Sequence, residues 1–437
     1  MYNSDSKHIF QLFLLRKGAE RMNQLALYGG AKAKSVPYST GRRFGAEELQ
    51  QVAEALEQDS LFYWKGKKVR QFCEKFSKLY GTKHCVATSS GTAALHTALG
   101  AIGITEGDEV ITSPITDMGT VIGILYQNAI PVFADVDPYT YNMDPQSIER
   151  NITPKTKAIL VVHLAGNPAD MDEIMKIAER YNLKVVEDCA QAYMTYYKKR
   201  LVGTIGHIGC FSLNDFKHIT AGDGGMCIMN DELLYHKALR FADKNYSRIS
   251  VNGVVDRDVP FIAPNYRMNE ITGAVAIAQL DRVEWICEKR RLYGDGLTYR
   301  LRRLPGITPP LVKDGNLSSY WFYLFRVDEA ELGIDTDTFI QALQAEGVPC
   351  SRGYIPTCIY EYGLFKNRSA YLNTHAPFDS PYCGQPRSYP TGLCPVAEDV
   401  LKSTVRLEVS EFFSEEDLRQ TAEAIEKVSV WFANNEK

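Results

Sequence analysis

The spacing of apolar positions changes near residue 85. Before it, over about 45–80, Leu49, Val52, Ala55 and Leu56, then Val69, Phe72, Phe76 and Leu79, recur every three or four residues. That spacing lines one face of a helix and predicts helical structure there. Beyond it, short β-branched runs at 85–88, 108–112, 131–134, 158–162, 184–187, 209–212 and 225–229 alternate with helical patterns. The clearest of these helices is 171–181, through Ile174, Ile177, Ala178 and Tyr181. Strands alternating with helices predict an α/β fold with a mostly parallel sheet covered on both faces. A long helical pattern over about 270–303, interrupted by Gly294 and Gly296, predicts an arm leading to a smaller α+β unit. That unit has a strand at 320–327, a helix at 337–346 and a closing amphipathic helix at 415–433. Residues 366–396 are rich in Pro, Ser, Tyr and Gly and predict an irregular loop, either a substrate-facing lid or a surface insertion. The division expected is an N-terminal extension and arm (1–44), a large domain (45–285) and a small one (286–437).

Composition adds mainly exclusions. A chain of 437 residues exceeds one ordinary core, and 45% hydrophobic with 23% charged residues is a globular balance. A formal charge of −4 gives no electrostatic footprint for nucleic acid or an anionic membrane. Short basic clusters such as Lys65-Gly66-Lys67-Lys68 read as solvated surface. Ten cysteines without a CxxC or regular spacing argue against a disulfide framework or a zinc site, and for a reducing cytoplasm. The apolar patch at 9–15 is too short to span a bilayer and runs into Arg16-Lys17, not a cleavage site. A soluble protein is expected, with Met22 as an alternative start.

Three segments carry chemistry. Ser89-Ser90-Gly91-Thr92-Ala93-Ala94-Leu95 follows a strand and opens a helix at about Thr92. Free N–H groups and the positive dipole end there suit a phosphate, although a serine-rich cap is the plainer reading. In Glu187-Asp188-Cys189-Ala190-Gln191 an acid ends a buried strand, where open α/β sheets place their ligands. Such a carboxylate can keep a pyridinium nitrogen protonated, or simply cap a helix. Lys217 lies just behind the 209–212 strand and ahead of Gly222-Asp223-Gly224-Gly225. A lysine there can form an imine with an aldehyde and then shuttle a proton.

Taken in order, Ser-Gly-Thr-Ala-Ala-Leu (90–95), Glu-Asp-Cys-Ala-Gln (187–191), Phe211-Ser212 with Lys217, Gly-Asp-Gly-Gly (222–225) and Asn265-Tyr266-Arg267-Met268 resemble the DegT/DnrJ/EryC1/StrS family. These are pyridoxal-phosphate (PLP) sugar aminotransferases with the aspartate-aminotransferase (type I) fold. The resemblance runs from about Gly29 to the last helix. It implies PLP as cofactor, held by Lys217 as a Schiff base, with Lys217 as acid and base. It implies that Asp188 pairs with the pyridine nitrogen and Gln191 lies beside the ring. Gly91, Thr92 and Ala93, with Ser212, would bind the phosphate. Asn265 would reach the phosphate of a neighbouring subunit, so a homodimer with shared active sites is expected.

Two positions depart from the family. Thr116 is usually followed by an aromatic that stacks on the cofactor; here Asp117 follows. Either Met118 or another group covers that face, or Asp117 contacts substrate or cofactor by hydrogen bonds. The common histidine after Gln191-Ala192 is Tyr193. Lysine at 217, where related sugar dehydratases have histidine, goes with transamination. The expected reaction moves an amino group from L-glutamate or L-glutamine to a keto sugar, nucleotide-linked or not, or a ketocyclitol, in ping-pong fashion. His218 is expected to be structural. The alternatives are another PLP reaction, such as sugar dehydration, on the same scaffold, or a PLP-binding regulator without turnover.

Overall fold

Seven strands form the frame that the alternating pattern predicts. The computed structural model describes residues 24–248, 250–251, 254–255, 258–384 and 387–435; the 9–15 patch and Met22 lie outside them. The sheet order is His84–Thr88, Gly225–Met229, Ile208–Ser212, Lys184–Asp188, Thr156–Val162, Glu109–Thr112, Ile130–Phe133. Neighbours are parallel except around Gly225–Met229, which runs antiparallel to both of its partners. Covered on both faces, the strands read as unbroken apolar runs such as Ile159-Leu160-Val161-Val162. Alternate side chains feed two cores. Val110, Leu160, Val186 and Cys210 meet the helices Gly91–Ile102 and Met118–Tyr126 on one face. Ile111, Ile159, Val185 and Phe211 meet Lys68–Tyr80 and Met171–Arg180 on the other.

A second, antiparallel sheet runs Ile307–Thr308, Phe322–Val327, Thr404–Glu408, Cys350–Arg352. The helices Thr336–Ala345 and Glu415–Asn435 close a third core over it. All ten cysteines are free, and Cys210 and Cys227 are buried in the core. Among the described residues no helix is long and apolar enough to cross a membrane.

Three local expectations change. The 45–80 pattern is two helices, Ala46–Leu56 and Lys68–Tyr80, and Leu49 and Leu56 are exposed. The long arm breaks at Asp281-Arg282, between Glu270–Leu280 and Val283–Leu301, and not at its glycines. Gly294 and Gly296 serve packing instead: a Cβ at 294 would lie 2.4 Å from the Tyr320 ring, and one at 296 would lie 2.7 Å from Leu418. The expected division at 285/286 therefore falls inside one continuous helix. The 366–396 segment covers the outer edge of the large sheet. The Tyr389 hydroxyl donates to the Pro131 carbonyl at 2.9 Å, and Arg387 pairs with Glu109 at 2.9 Å. An edge strand left bare would offer its backbone to another chain, and this segment prevents that.

Candidate active site

Strand alternation separates the two acids of the Glu187-Asp188 pair. Glu187 points with Val185 into one core, whereas Asp188 points with Val186 toward the helices Gly91–Ile102 and Met118–Tyr126. Glu187 is fully buried and accepts from His163 Nε2 at 3.0 Å and from the amides of Gly203, Ile205 and Gly206 at 2.7, 2.8 and 2.6 Å. Burial alone would raise this carboxyl, but the His163 bond and the amides outweigh it and hold it below the usual range. His163 Nδ1 accepts from the Ala169 amide at 3.1 Å, so its proton sits on Nε2. His163, Glu187 and Cys189 bring metal-ligand atoms within 4.8 Å of one another. Both ring nitrogens and both carboxylate oxygens are already engaged, which makes the pair an internal brace.

Asp188 ends its strand under the cleft. Its Oδ2 accepts from the Thr120 hydroxyl at 2.8 Å and its Oδ1 from the Ala190 amide at 3.1 Å. Burial pushes its carboxyl above the usual range. The Ala190 and Thr120 hydrogen bonds and the charge of Lys217 offset this only in part. Lys217 is the mirror case. Burial lowers its amine to about 8, against the opposing pull of Asp188 and Asp117. The amine lies 3.8 Å from the centre of the Trp321 ring.

The loop that carries Lys217 is fixed through its backbone. Arg43 donates to the carbonyls of Asp215 and Lys217, and to that of His218 at 3.2 Å. Trp321 Nε1 donates to the Phe216 carbonyl at 2.6 Å. His218 is buried and bonds the Ser319 carbonyl through Nε2 at 3.2 Å, in keeping with a structural role. Tyr193 is also buried and donates to the Ser212 carbonyl at 2.9 Å, so the departure from histidine builds the wall behind Ser212.

Above these groups two helices begin side by side. Ser90 caps the first by accepting from the Ala93 amide at 3.0 Å. A Cβ on Gly91 would fall 2.6 Å from Ser212 Cβ, so Ser212 sits against the helix start and only glycine fits there. Thr92 meets Gly119 of the second helix equally closely, at 2.6 Å from a Cβ built on that glycine. Asp117 is the cap of that second helix and accepts from Gly119 at 2.8 Å with its side chain exposed. Gln191 accepts from the Ala165 amide at 2.8 Å, and the Ala165 carbonyl accepts from Trp321 at 2.9 Å. Gly91, Thr92, Ala93, Asp117, Asp188, Gln191, Ser212 and Lys217 thus share one end of the sheet. Asn265 does not join them within this chain: it is exposed and bridges to Asp243.

Sequence reasoning missed Thr120, Arg43 and Trp321. Thr120 had a signal, one helical turn after Thr116, with which it shares a 2.6 Å hydrogen bond. Arg43 and Trp321 reach the site from distant parts of the chain and carry no local mark.

The chemistry of this donor set can be matched to a ligand. A carboxylate with a raised pKa suits a protonated ring nitrogen, and an amine lowered to about 8 suits an aldehyde. A glycine-opened helix start beside a serine suits a phosphate. PLP presents all three groups, so the residues fit it. Sheet order and cleft together define an aminotransferase-type fold. The chain belongs to the DegT/DnrJ/EryC1/StrS aminotransferase family, whose pattern it matches over residues 43–426, and the family uses pyridoxal 5′-phosphate.

The chain is 38% identical over 335 residues to the spore coat polysaccharide biosynthesis protein SpsC of Bacillus subtilis, covering 75% of this chain and 85% of that one. It is 36% identical over 331 residues to a putative L-glutamine:3-amino-2,3-dideoxy-scyllo-inosose aminotransferase of Streptoalloteichus tenebrarius, covering 75% and 79%. Among solved structures, the aminotransferase from Psychrobacter cryohalolentis superimposes with a TM-score of 0.79 at 31% identity. That match spans 91% of this chain and all of the other.

Proposed function

We propose that this enzyme transfers the amino group of L-glutamine or L-glutamate to the carbonyl of a keto sugar or ketocyclitol. The observation that carries the reading is the buried pair of Lys217 and Asp188, each pushed toward neutrality, at the mouth of a phosphate-suited helix start. PLP, when bound, supplies an electron sink for a carbanion at the substrate carbon. Lys217 would hold the cofactor carbonyl and could carry a proton to and from the reacting carbon. Asp188, fixed by Thr120 and Ala190, would keep the ring nitrogen protonated. Thr92, Ala93, Gly91 and Ser212 would hold the phosphate, and Gln191 would stand beside the ring. Trp321 covers the lysine and limits water at the amine. A free amine at 217 favours transamination over dehydration and over a regulator without turnover.

The site is served by both sheets, through Lys217 behind the large one and Trp321 ahead of a strand of the small one, and Arg43 reaches the lysine loop from the segment before the helix Ala46–Leu56. The exposed Asn265 supports a homodimer in which it completes the partner's phosphate site. The free cysteines support a cytoplasmic protein.

The test of the whole reading is transfer of label. Glutamine or glutamate carrying ¹⁵N in the α-amino group, given with holoenzyme and a panel of keto sugars and ketocyclitols, should yield a ¹⁵N-labelled amino product by mass spectrometry. Label that stays in the donor throughout would count against it. The lysine also makes a pH prediction. A neutral amine is the nucleophile, so uptake of PLP by apoenzyme should accelerate as pH rises through about 8 and level off above it. In stopped-flow absorbance, a rate still climbing toward the ordinary lysine value of 10.5 would show that the amine is not desolvated as described.

A further inference from the structure

Away from the cofactor residues, positive charge gathers where the 366–396 segment covers the edge of the large sheet. A cavity of about 340 Å³ opens there. Its floor is Phe365 and Tyr389, both buried, with ring centres 5.2 Å apart. Both rest on Phe133 of the edge strand Ile130–Phe133, at 5.4 and 5.8 Å. Lys366, Arg368 and Arg387 also line the cavity, together with the exposed Ser388. Among the described residues no carboxylate lines it.

The acids nearby leave these three cations under-compensated. Glu361 accepts from the Thr357 and Thr391 hydroxyls and stays 3.9 Å from the Lys366 amine. Glu109 pairs with Arg387 at 2.9 Å but also accepts from the Thr153 hydroxyl at 2.6 Å. Arg368 has no carboxylate partner among the described residues. It donates to the Phe378 carbonyl at 2.8 Å, and its Nε is buried without a hydrogen bond. Like charges around one cavity repel, and an anion there would relieve that repulsion and give Arg368 the counter-charge it lacks.

We propose that this cavity binds a phosphate dianion, free or as a phosphomonoester, and that the ligand clamps the 366–396 segment to the sheet. Guanidinium forks and an ammonium are the groups that hold phosphate oxygens. A tetrahedral dianion can take donors from all three side chains at once, and the Ser388 hydroxyl can add a fourth. The volume exceeds that of bare phosphate and leaves room for a small ester group. Lys366 and Arg368 stand at the near end of the segment and Arg387 toward its far end, so one ligand ties the two ends together. None of these residues belongs to the cofactor set, and the site is separate from amino transfer.

The test uses holoenzyme, in which the cofactor phosphate competes for the helix-start cradle. Equilibrium dialysis against ³²P-labelled inorganic phosphate, at an ionic strength held constant with chloride, should show one saturable site per chain. Hydrogen exchange should slow on binding in peptides of the 366–396 segment. Lys366→Gln and Arg368→Gln should each weaken binding by about tenfold or more. Losing the bond from Arg368 to Phe378 could loosen the segment, whereas the Lys366 amine has only the 3.9 Å contact with Glu361. Lys366→Gln therefore decides the matter if Arg368→Gln unfolds. Absence of saturable binding would overturn the proposal. So would an affinity unchanged in Lys366→Gln, or exchange that slows elsewhere in the chain and not in this segment.

Discussion

Lys217→Ala should lower turnover by on the order of 10⁴-fold or more, because one side chain supplies both the nucleophile and the proton carrier. The fold should survive. The Lys217 amine rests on the Trp321 ring, whereas the loop is held through backbone carbonyls by Arg43 and Trp321 and through the His218 ring. The amine is also costly to bury. Its pKa in the folded protein, about 8, lies below the ordinary 10.5, so the unfolded chain binds more protons between those values and wild-type stability should rise with pH across that window. The alanine variant should lack that rise and melt within a few degrees of wild type at neutral pH. Steady-state assays with thermal melts at two pH values check both halves. Sustained multiple turnover by Lys217→Ala would reject the assignment.

Asp188→Asn should slow the reaction by about 100- to 1000-fold, the scale for removing a preorganised electrostatic partner. The amide preserves shape and can still meet Thr120 and Ala190, so cofactor binding through the phosphate cradle should persist. Single-turnover kinetics with α-deuterated glutamine should then show proton abstraction as the slowed step. A variant that performs like wild type would return Asp188 to the plainer role of capping the Ala190 turn.

Both residues were legible because each closely follows a buried strand in the sequence pattern and because the resemblance to the family implied their roles. A buried β-branched run that ends in Glu187-Asp188 must send consecutive side chains to opposite faces. Periodicity alone could not say which acid served the site, and it was the family resemblance that pointed to Asp188. In the structure the choice depended on His163 and the 203–206 turn, which captured Glu187. Asp117 was legible as a departure from the family, and the structure places it as the cap of the helix Met118–Tyr126. Arg43 and Trp321 were not legible at all. Arg43 precedes the helix Ala46–Leu56 and Trp321 precedes a strand of the second sheet, and only tertiary folding brings them to the Lys217 loop. The glycines of the long arm misled for a related reason. Gly294 and Gly296 read locally as helix breakers, but the Tyr320 ring and Leu418 require their missing side chains.

The most direct measurement is an absorbance spectrum of the PLP-loaded protein before and after L-glutamine or L-glutamate. The long-wavelength band of lysine-bound PLP should give way to that of pyridoxamine phosphate, return on addition of a keto acceptor, and be missing from Lys217→Ala. A wild-type band that ignores both donors would contradict amino transfer by Lys217.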